Sequence, residues 1–262
     1  MVENHILAVD IGNSNVKLAT GLAESAIWSN VVRVSADQQR TGDEWHSLLA
    51  THFALAKMDE CSWRVVCCSV VPAIAFAFEQ YVRAYLTDEL LFVNAAVSLG
   101  ITVATTNPDE TGADRIVNAA SAWHSLRGPV IVVDAGTATK IDAVSATGAL
   151  LGGAIAPGLG LSIESLARRA AQLSAVPLQT PRHVIGQNTV TAVQSGVVRG
   201  HISMIDGTVR AMQEELGADA PVLLTGGFSS LIASDITTPV DVRPNLTLDG
   251  LRIISKLNIP SN

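Results

Sequence analysis

The stretch ILAVDIGNSN, residues 6–15, is an apolar run that ends in Asp-x-Gly and is followed by short polar side chains. The stretch VIVVDAGTAT, residues 130–139, repeats this pattern in the second half of the chain. Each copy is typical of a buried strand that leads into a tight turn. The repeat therefore predicts two similar domains, residues 1–119 and residues 120–262.

Strand-like and helix-like segments alternate along the rest of the sequence, which predicts an α/β fold. Because the residues after each Asp-x-Gly turn continue as strand-like sequence, we expect mixed sheets flanked by helices. Residues 151–160 are rich in glycine and proline and are predicted to form a constrained loop. The residues from Pro239 onward are predicted to be a short tail. Further strands are expected at 63–70, 90–93 and 221–224, and helices at 43–56, 73–87, 111–126, 161–173 and 189–216.

The composition is that of a globular protein, since 48% of the 262 residues are hydrophobic and 16% are charged. The net charge of -7 and the lack of a Lys/Arg run argue against a nucleic-acid partner, which needs clustered cations to neutralise phosphates. No apolar run approaches the roughly 18 residues of a membrane span, and no secretory signal is visible. Cys61, Cys67 and Cys68 are interpreted as reduced thiols. We therefore expect a cytoplasmic location and no membrane partner.

The first turn has the residue types that a phosphate site needs. Gly12 lets backbone amides approach a ligand closely. The side chains of residues 13–15 add short donors, Lys17 adds a cation, and Asp10 is suited to hold a magnesium ion directly or through water. The alternative is a simple hairpin turn, because Asp, Gly and Asn are ordinary turn residues.

The second copy strengthens the phosphate interpretation. Asp134 would be a second carboxylate for a cation, Gly136 a position of close approach, and Thr137 a hydroxyl donor to phosphate. Two such turns facing one cleft could grip a polyphosphate. The turn at residues 225–227, after its own strand, would be a third and weaker member.

Residues 107–115 lie between the two copies and place a candidate base, Asp114, beside a candidate anion anchor, Arg115. The alternative is an ion pair on a solvated helix face. Thr189 is interpreted as a helix cap first and as a substrate contact second. The histidines show no metal-ligand spacing and are assigned no catalytic role.

These motifs, in this order, resemble those of the type III pantothenate kinases, and the likeness spans nearly the whole chain. It implies the fold of the acetate and sugar kinase, heat-shock ATPase and actin superfamily, with two duplicated actin-like (ribonuclease H-like) ATPase domains. It also implies a homodimer that uses ATP to phosphorylate pantothenate to 4'-phosphopantothenate, the first step of coenzyme A biosynthesis. The likeness rests on residues 10–17, 107–115 with Asn118, 134–139, 152–158, 188–189 and 225–227.

The resemblance also implies roles for individual residues. Asp114 would be the general base on the pantothenate hydroxyl, and Asp134 would hold a monovalent cation, K⁺ or NH₄⁺. Asp10 would lie at the magnesium ion and the ATP phosphates. The other ATP contacts would be Gly12, Asn13, Ser14, Asn15, Lys17 and Thr137, and the pantothenate contacts Gly112, Ala113, Arg115 and Thr189.

The sequence departs from the family pattern at three positions. Ser14 replaces the usual Thr and keeps the hydroxyl. Thr105 stands where the family has a substrate-contacting Tyr, which alters part of the pantothenate pocket. Lys140 replaces a second Thr, and its ammonium could take the place of the monovalent cation near Asp134. In the alternative interpretation Lys140 points from a strand to solvent.

Two other functions remain open at the level of sequence. One is a catalytically weak relative with a regulatory, transcription-associated role. The other is a kinase for another hydroxylated small acid or sugar, for which the loss of the expected Tyr at Thr105 leaves room.

Overall fold

The computed structural model describes residues 4–53, 62–87, 89–169 and 176–259. The chain forms two compact units. Unit 1 consists of the described residues up to Ser121 together with those from Leu246 on, and unit 2 consists of those from Ala122 to Asn245. The domain limits 1–119 and 120–262 stay a prediction of the sequence repeat, and the compact units differ from them chiefly in where the residues after Leu246 are placed.

Unit 1 is built on a sheet of five strands with mixed direction. The central strand β1 is antiparallel to β2 and parallel to β4, and the order across the sheet is β3-β2-β1-β4-β5. The strands are β1 (Asn4–Ile11), β2 (Asn15–Leu22), β3 (Asn30–Ser35), β4 (Ser62–Ser69) and β5 (Leu90–Phe92). A short strand, β6 (Thr102–Val103), follows β5 in the chain and is not part of this sheet. The helices are α1 (Gly42–Phe53), α2 (Pro72–Tyr85) and α3 (Ala113–Leu126), of which α3 carries the chain into unit 2.

Unit 2 repeats this architecture. Its strands are β7 (Val130–Ala135), β8 (Ala138–Val144), β9 (Ala149–Pro157), β10 (Val222–Thr225) and β11 (Val240–Val242), in the order β11-β10-β7-β8-β9. Strand β7 is antiparallel to β8 and parallel to β10, as β1 is to β2 and β4 in unit 1. Its helices are α4 (Leu159–Arg169), α5 (Thr189–Gln194), a π-helical turn (Ser195–Arg199), α6 (Gly200–Leu216) and α7 (Ser229–Ile232). The prediction of an α/β fold with mixed sheets and helices is confirmed.

Both faces of the central strands are buried, which explains why these strands read as continuous apolar runs. In unit 1, Leu7, Val9 and Ile11 belong to a core formed with α1 and α2. The alternate side chains, such as Ile6 and Ala8, are buried as well. In unit 2, the core around β7 and β10 includes the apolar face of α6.

The C-terminal segment is not the short tail that the sequence predicts. It contains β11 and a twelve-residue helix, α8 (Leu246–Leu257), which packs on β1 and β4 in unit 1. Trp28 Nε1 donates to Asp249 Oδ1 at 2.8 Å, and the guanidinium of Arg252 lies 3.5 Å from the centre of the Trp28 ring. Gly250 permits close packing on α3, because a side chain there would come within 2.4 Å of the Val117 carbonyl oxygen.

The predicted loop at residues 151–160 is also wrong, since these residues form most of β9 and the start of α4. The glycines are needed because the neighbouring strand is close: a Cβ at Gly153 would lie 2.0 Å from the Ile141 carbonyl oxygen. Gly152 adopts φ 127° beside an irregularity in the pairing of β8 with β9. The predicted helices at 43–56 and 161–173 lie partly outside the described residues, and Cys61 lies outside them entirely.

Among the described residues, none of the helices combines the length and the apolar character needed to cross a membrane.

The carboxylate of Asp206 anchors α6 to the segment before β11. It is buried and accepts hydrogen bonds from the backbone N–H groups of Thr237 (3.0 Å) and Thr238 (2.9 Å) and from Thr237 Oγ1 (2.7 Å). Burial alone would raise the pKa of Asp206, but these hydrogen bonds outweigh it and hold the pKa below its ordinary value of 3.8.

We predict that Asp206→Asn lowers the free energy of unfolding by about 1.5–3 kcal/mol at pH 7, because hydrogen bonds to a charged acceptor are lost. The folded-state pKa is lowered, so this stabilisation is complete above the ordinary pKa and disappears as the pH falls through the folded value. Urea unfolding at pH 7 and below pH 3.8 should therefore show a difference that shrinks in acid. Asp219→Asn, at an exposed position in unit 2, is the control; an equal loss in both variants would contradict the prediction.

Candidate functional site

The first Asp-x-Gly motif forms the connection of the β1–β2 hairpin. The N–H of Gly12 donates to the Asn15 carbonyl oxygen at 3.0 Å, and a Cβ at Gly12 would lie 3.2 Å from that oxygen. Asn13, Ser14 and Asn15 are exposed at the tip. The hairpin interpretation is thus correct for the local backbone. It leaves the polar side chains at the tip accessible to a ligand.

Asp10 lies near the end of β1, and a residue of each neighbouring strand lies beside it. Across the antiparallel ladder its partner is Lys17, and across the parallel ladder its partner is Cys68. The Cys68 thiol lies 3.5 Å from Asp10 Oδ1 and can donate a hydrogen bond to it. Sequence reasoning missed Cys68, because its position beside Asp10 depends on the register of two strands that are far apart in the chain.

Lys17 is half-buried beneath the first turn. Burial lowers the pKa of its ammonium, the positive charge of Arg33 on β3 lowers it further, and Asp10 opposes both effects. A half-buried ammonium has lost part of its water shell, so an arriving phosphate gains more from it than from a fully solvated lysine.

Asp114 lies in the first turn of α3. Its Oδ1 accepts a hydrogen bond from the Arg115 backbone N–H at 2.8 Å, and a Cβ at Gly112 would come within 2.8 Å of the same oxygen. Burial raises the pKa of Cys68 well above its ordinary value, and the carboxylates of Asp10 and Asp114 contribute to that rise. The two predicted carboxylates of unit 1 are therefore both near enough to the Cys68 thiol to raise its pKa.

A cavity of about 510 Å³ in unit 1 opens beside the start of α3. Thr105 contacts this region indirectly, because its hydroxyl lies 2.8 Å from the hydroxyl of Thr111, which lines the cavity. Polar and small residues form much of the lining, among them Ser69, Asn94, Asp109, Thr111, Gly112 and Ala113.

In unit 2, two other motifs of the sequence pack against the second Asp-x-Gly turn. The Gly158 N–H donates to the Thr137 carbonyl oxygen at 3.0 Å, and the Phe228 N–H donates to the Ala135 carbonyl oxygen at 3.0 Å. Side chains at Gly158 or Gly226 would come within 2.3 Å and 2.5 Å of backbone atoms of the turn. The weak third turn at 225–227 is therefore packed directly against the second copy.

Lys140 does not point to solvent. Its Nζ lies 2.9 Å from Asp134 Oδ2, and both side chains are 16% exposed. The two residues are partners in the ladder of β7 and β8. Thr137, at the tip of the same hairpin, is exposed.

Thr189 is the first residue of α5 and not its cap. The cap is Asn188, whose side chain accepts from the Thr191 N–H at 2.9 Å, while the Asn188 N–H donates to Thr191 Oγ1 at 3.2 Å. Thr189 lines a cavity of about 880 Å³ in unit 2, together with Ser162 and His201.

His201 is a second residue that sequence reasoning did not assign. Its Nε2 lies 2.8 Å from Thr139 Oγ1, and burial lowers its pKa, so the ring is neutral at pH 7. It links the cavity beside Thr189 to β8, the strand that follows the second turn. The structure thus groups Asp10, Lys17 and Asp114 in unit 1, and Asp134 with Lys140 in unit 2.

The sequence of this chain is similar to that of a known enzyme family. A model of the type III pantothenate kinase family matches residues 6–211. A type III pantothenate kinase of Anaeromyxobacter sp. (strain Fw109-5) is 42% identical over 254 residues, which cover 97% of this chain and 99% of that protein.

The same architecture occurs in solved structures of much lower sequence identity. One is Ta0583, an archaeal actin homologue (TM-score 0.50, 14% identity, 98% of this chain and 99% of the other). Another is the inorganic polyphosphate/ATP-glucomannokinase of Arthrobacter sp. strain KM (TM-score 0.52, 14% identity, 98% and 100% covered). These likenesses confirm the predicted actin-like and sugar-kinase-like fold. By the match to the family model and by sequence identity over almost its full length, the chain belongs to the type III pantothenate kinase family.

Proposed function

We propose that this chain catalyses the ATP-dependent phosphorylation of pantothenate to 4'-phosphopantothenate, the first step of coenzyme A biosynthesis. The observation that carries the proposal is the family match over residues 6–211, a range that includes both acidic turns, Asp114 and Thr189. Phosphoryl transfer chiefly needs positioning and charge neutralisation, with a carboxylate near the attacking hydroxyl. The groups described above are of the types that this chemistry requires.

The β1–β2 hairpin would bind ATP phosphates. Its exposed tip offers the side chains of Asn13, Ser14 and Asn15 as donors, and Gly12 allows the backbone to approach closely. Lys17 would add the positive charge that the phosphates need. In unit 2, the exposed hydroxyl of Thr137 would contact ATP as well.

Asp10 fits the role of a magnesium ligand. Its carboxylate is only partly buried and lies just before the turn of the same hairpin. Over the part of the chain that the structure describes, no three His, Cys, Asp or Glu residues form a metal cluster. Magnesium commonly takes one or two carboxylates and completes its shell with phosphate oxygens and water. When bound, the ion would neutralise negative charge on the phosphates.

Asp114 would accept the proton of the pantothenate hydroxyl. Gly112 gives its carboxylate room, and the hydrogen bond from the Arg115 N–H orients Oδ1. The Arg115 guanidinium suits the carboxylate of pantothenate. Gly112 and Ala113 line the 510 Å³ cavity, and Thr105 acts on it through Thr111. We also propose that Thr189 contacts pantothenate.

The proposed location is the cytoplasm, and the proposed ligands are ATP and pantothenate, without a nucleic-acid partner. The net charge of -7 supports the last point, because an acidic protein is repelled by phosphate backbones.

We further propose a homodimer. Unit 2 exposes several apolar side chains near α5: Val184 is 68% exposed, Ile185 is 83% exposed and Val190 is 44% exposed. Leu166 on α4 is 42% exposed as well. Exposed apolar groups concentrated in this way favour a protein interface.

The purified chain should release ADP only when pantothenate is present, and Asp114→Asn should lower turnover about a hundredfold or more, the scale of a general base. The affinity for ATP should be unchanged, because Asp114 is assigned to the acceptor. Asp43→Asn, an exposed carboxylate in α1, is the matched control and should be fully active. Wild-type turnover of another acceptor in a panel, but not of pantothenate, would contradict the proposal; a regulator would turn over nothing.

Gly112→Ala should displace the Asp114 carboxylate, because the added methyl would lie 2.8 Å from Oδ1. We expect kcat to fall by about tenfold or more while the melting temperature stays close to that of the wild type. Gly207→Ala is the control, because a methyl group there meets nothing within 4 Å. A Gly112→Ala enzyme with unchanged kcat would show that the position of Asp114 is not critical.

Light scattering after size-exclusion chromatography should give a mass twice that of the 27.4 kDa chain. Ile185→Asp should shift the mass toward one chain, because a charge would replace an apolar contact. Ile27→Asp, at a position in unit 1 that is 77% exposed, should leave the mass unchanged. A wild-type mass of one chain would refute the homodimer.

A further inference from the structure

The ion pair between Lys140 and Asp134 is held by the backbone. The two residues face each other in the antiparallel ladder of β7 and β8, so the register of the hairpin places the lysine beside the carboxylate. Nζ lies 2.9 Å from Oδ2, and each side chain is only 16% exposed. The ammonium is therefore a resident positive charge at the base of the second turn.

The other oxygen of the Asp134 carboxylate faces glycine. A Cβ at Gly226 would lie 2.6 Å from Oδ1, and one at Gly136 would lie 3.4 Å from it. Gly226 has φ 95°, a conformation that favours glycine. The space beside Oδ1 is thus bounded by the turns themselves, while the ammonium takes the side of Oδ2.

The repeat of the fold gives this lysine a counterpart. In unit 1 the register partner of Asp10 is Lys17, as Lys140 is the partner of Asp134 in unit 2. Both hairpins therefore set an ammonium across from the aspartate that precedes the turn. At the first turn, Lys17 is the proposed cation for phosphate, and the same placement at the second turn suggests a related electrostatic role.

A potassium ion, which the family resemblance implies at Asp134, does not fit this arrangement. At Oδ2 it would lie next to the ammonium, where two like charges repel each other strongly in a partly buried site. We propose that the Lys140 ammonium is a built-in monovalent cation, so that the enzyme needs no potassium at the Asp134 turn. Potassium and ammonium carry the same charge. The lysine ammonium is covalently attached to the chain, so it cannot dissociate as a bound potassium ion can.

This inference deepens the proposed function, because it rests on the second turn being part of the ATP site. It is tested first without turnover. We would measure the melting temperature, and the affinity for a non-hydrolysable ATP analogue with Mg²⁺, in potassium, sodium and tetramethylammonium chloride at equal ionic strength. The wild-type protein should give the same values in all three salts.

Lys140→Thr should convert the protein to potassium dependence. In tetramethylammonium chloride the variant should lose affinity for the ATP analogue by about tenfold, because the Asp134 carboxylate is left without its ammonium. Potassium should restore that affinity in a saturable way and raise the melting temperature by about 2–4 °C, the scale expected for a stabilising ligand in a chain of this size.

Lys256→Thr is the matched control. It removes another lysine paired with a carboxylate, since Nζ lies 2.9 Å from Glu24 Oε2, but these side chains are 38% and 82% exposed. It should show no potassium-specific response. The double variant Asp134→Asn with Lys140→Met, which removes both charges, should also be indifferent to potassium.

A saturable potassium effect on the wild-type protein would overturn the inference, even if Lys140→Thr did not fold. A folded Lys140→Thr protein that stays indifferent to potassium would overturn it as well. These readouts do not involve pantothenate. Failure of pantothenate-dependent ADP release would therefore count against the proposed function. Either of the two potassium results above would count against the role of Lys140 alone.

Discussion

In each unit, the candidate site depends on one contact in the first hairpin, where an aspartate at the end of a buried strand faces a lysine on the next strand. A strand buried on both faces carries Asp10 or Asp134 to its carboxyl end, and the antiparallel register sets a lysine across from it. Burying a carboxylate without a partner is costly, so the opposed ammonium makes an aspartate tolerable there. The tip of each hairpin remains exposed and polar. The same register that completes the sheet thus creates the electrostatic character of the candidate site.

The glycines around the second turn show how tightly this arrangement is packed. Gly158 and Gly226 come from different elements, yet each lies against backbone atoms of the 134–137 turn. A side chain at either position would push its segment away from the turn that carries Asp134 and Thr137. Close backbone packing therefore helps to position the turn in unit 2.

Much of the fold follows from local sequence, and the failures have identifiable causes. The repeat of an apolar run before Asp-x-Gly correctly predicted β1 and β7, and the strand-like continuation predicted β2 and β8. The prediction of a loop at the glycine-rich β9 was wrong. Glycine is needed there because the backbone of the neighbouring strand is close, and local sequence does not reveal that contact. The contact of Cys68 with Asp10 and that of His201 with Thr139 depend on tertiary register. The roles of Asp10, Asp114 and Thr189 in binding and catalysis stay predictions from motif resemblance.

The placement of α8 makes unit 1 discontinuous along the chain, whereas unit 2 is a single uninterrupted stretch. During synthesis, the strands from β1 to β5 emerge long before the helix that covers β1 and β4. Unit 2 has all of its own strands by the time β11 is made, so it can reach its native packing first. The part of the molecule that leaves the ribosome earliest is therefore expected to be the last to complete its core.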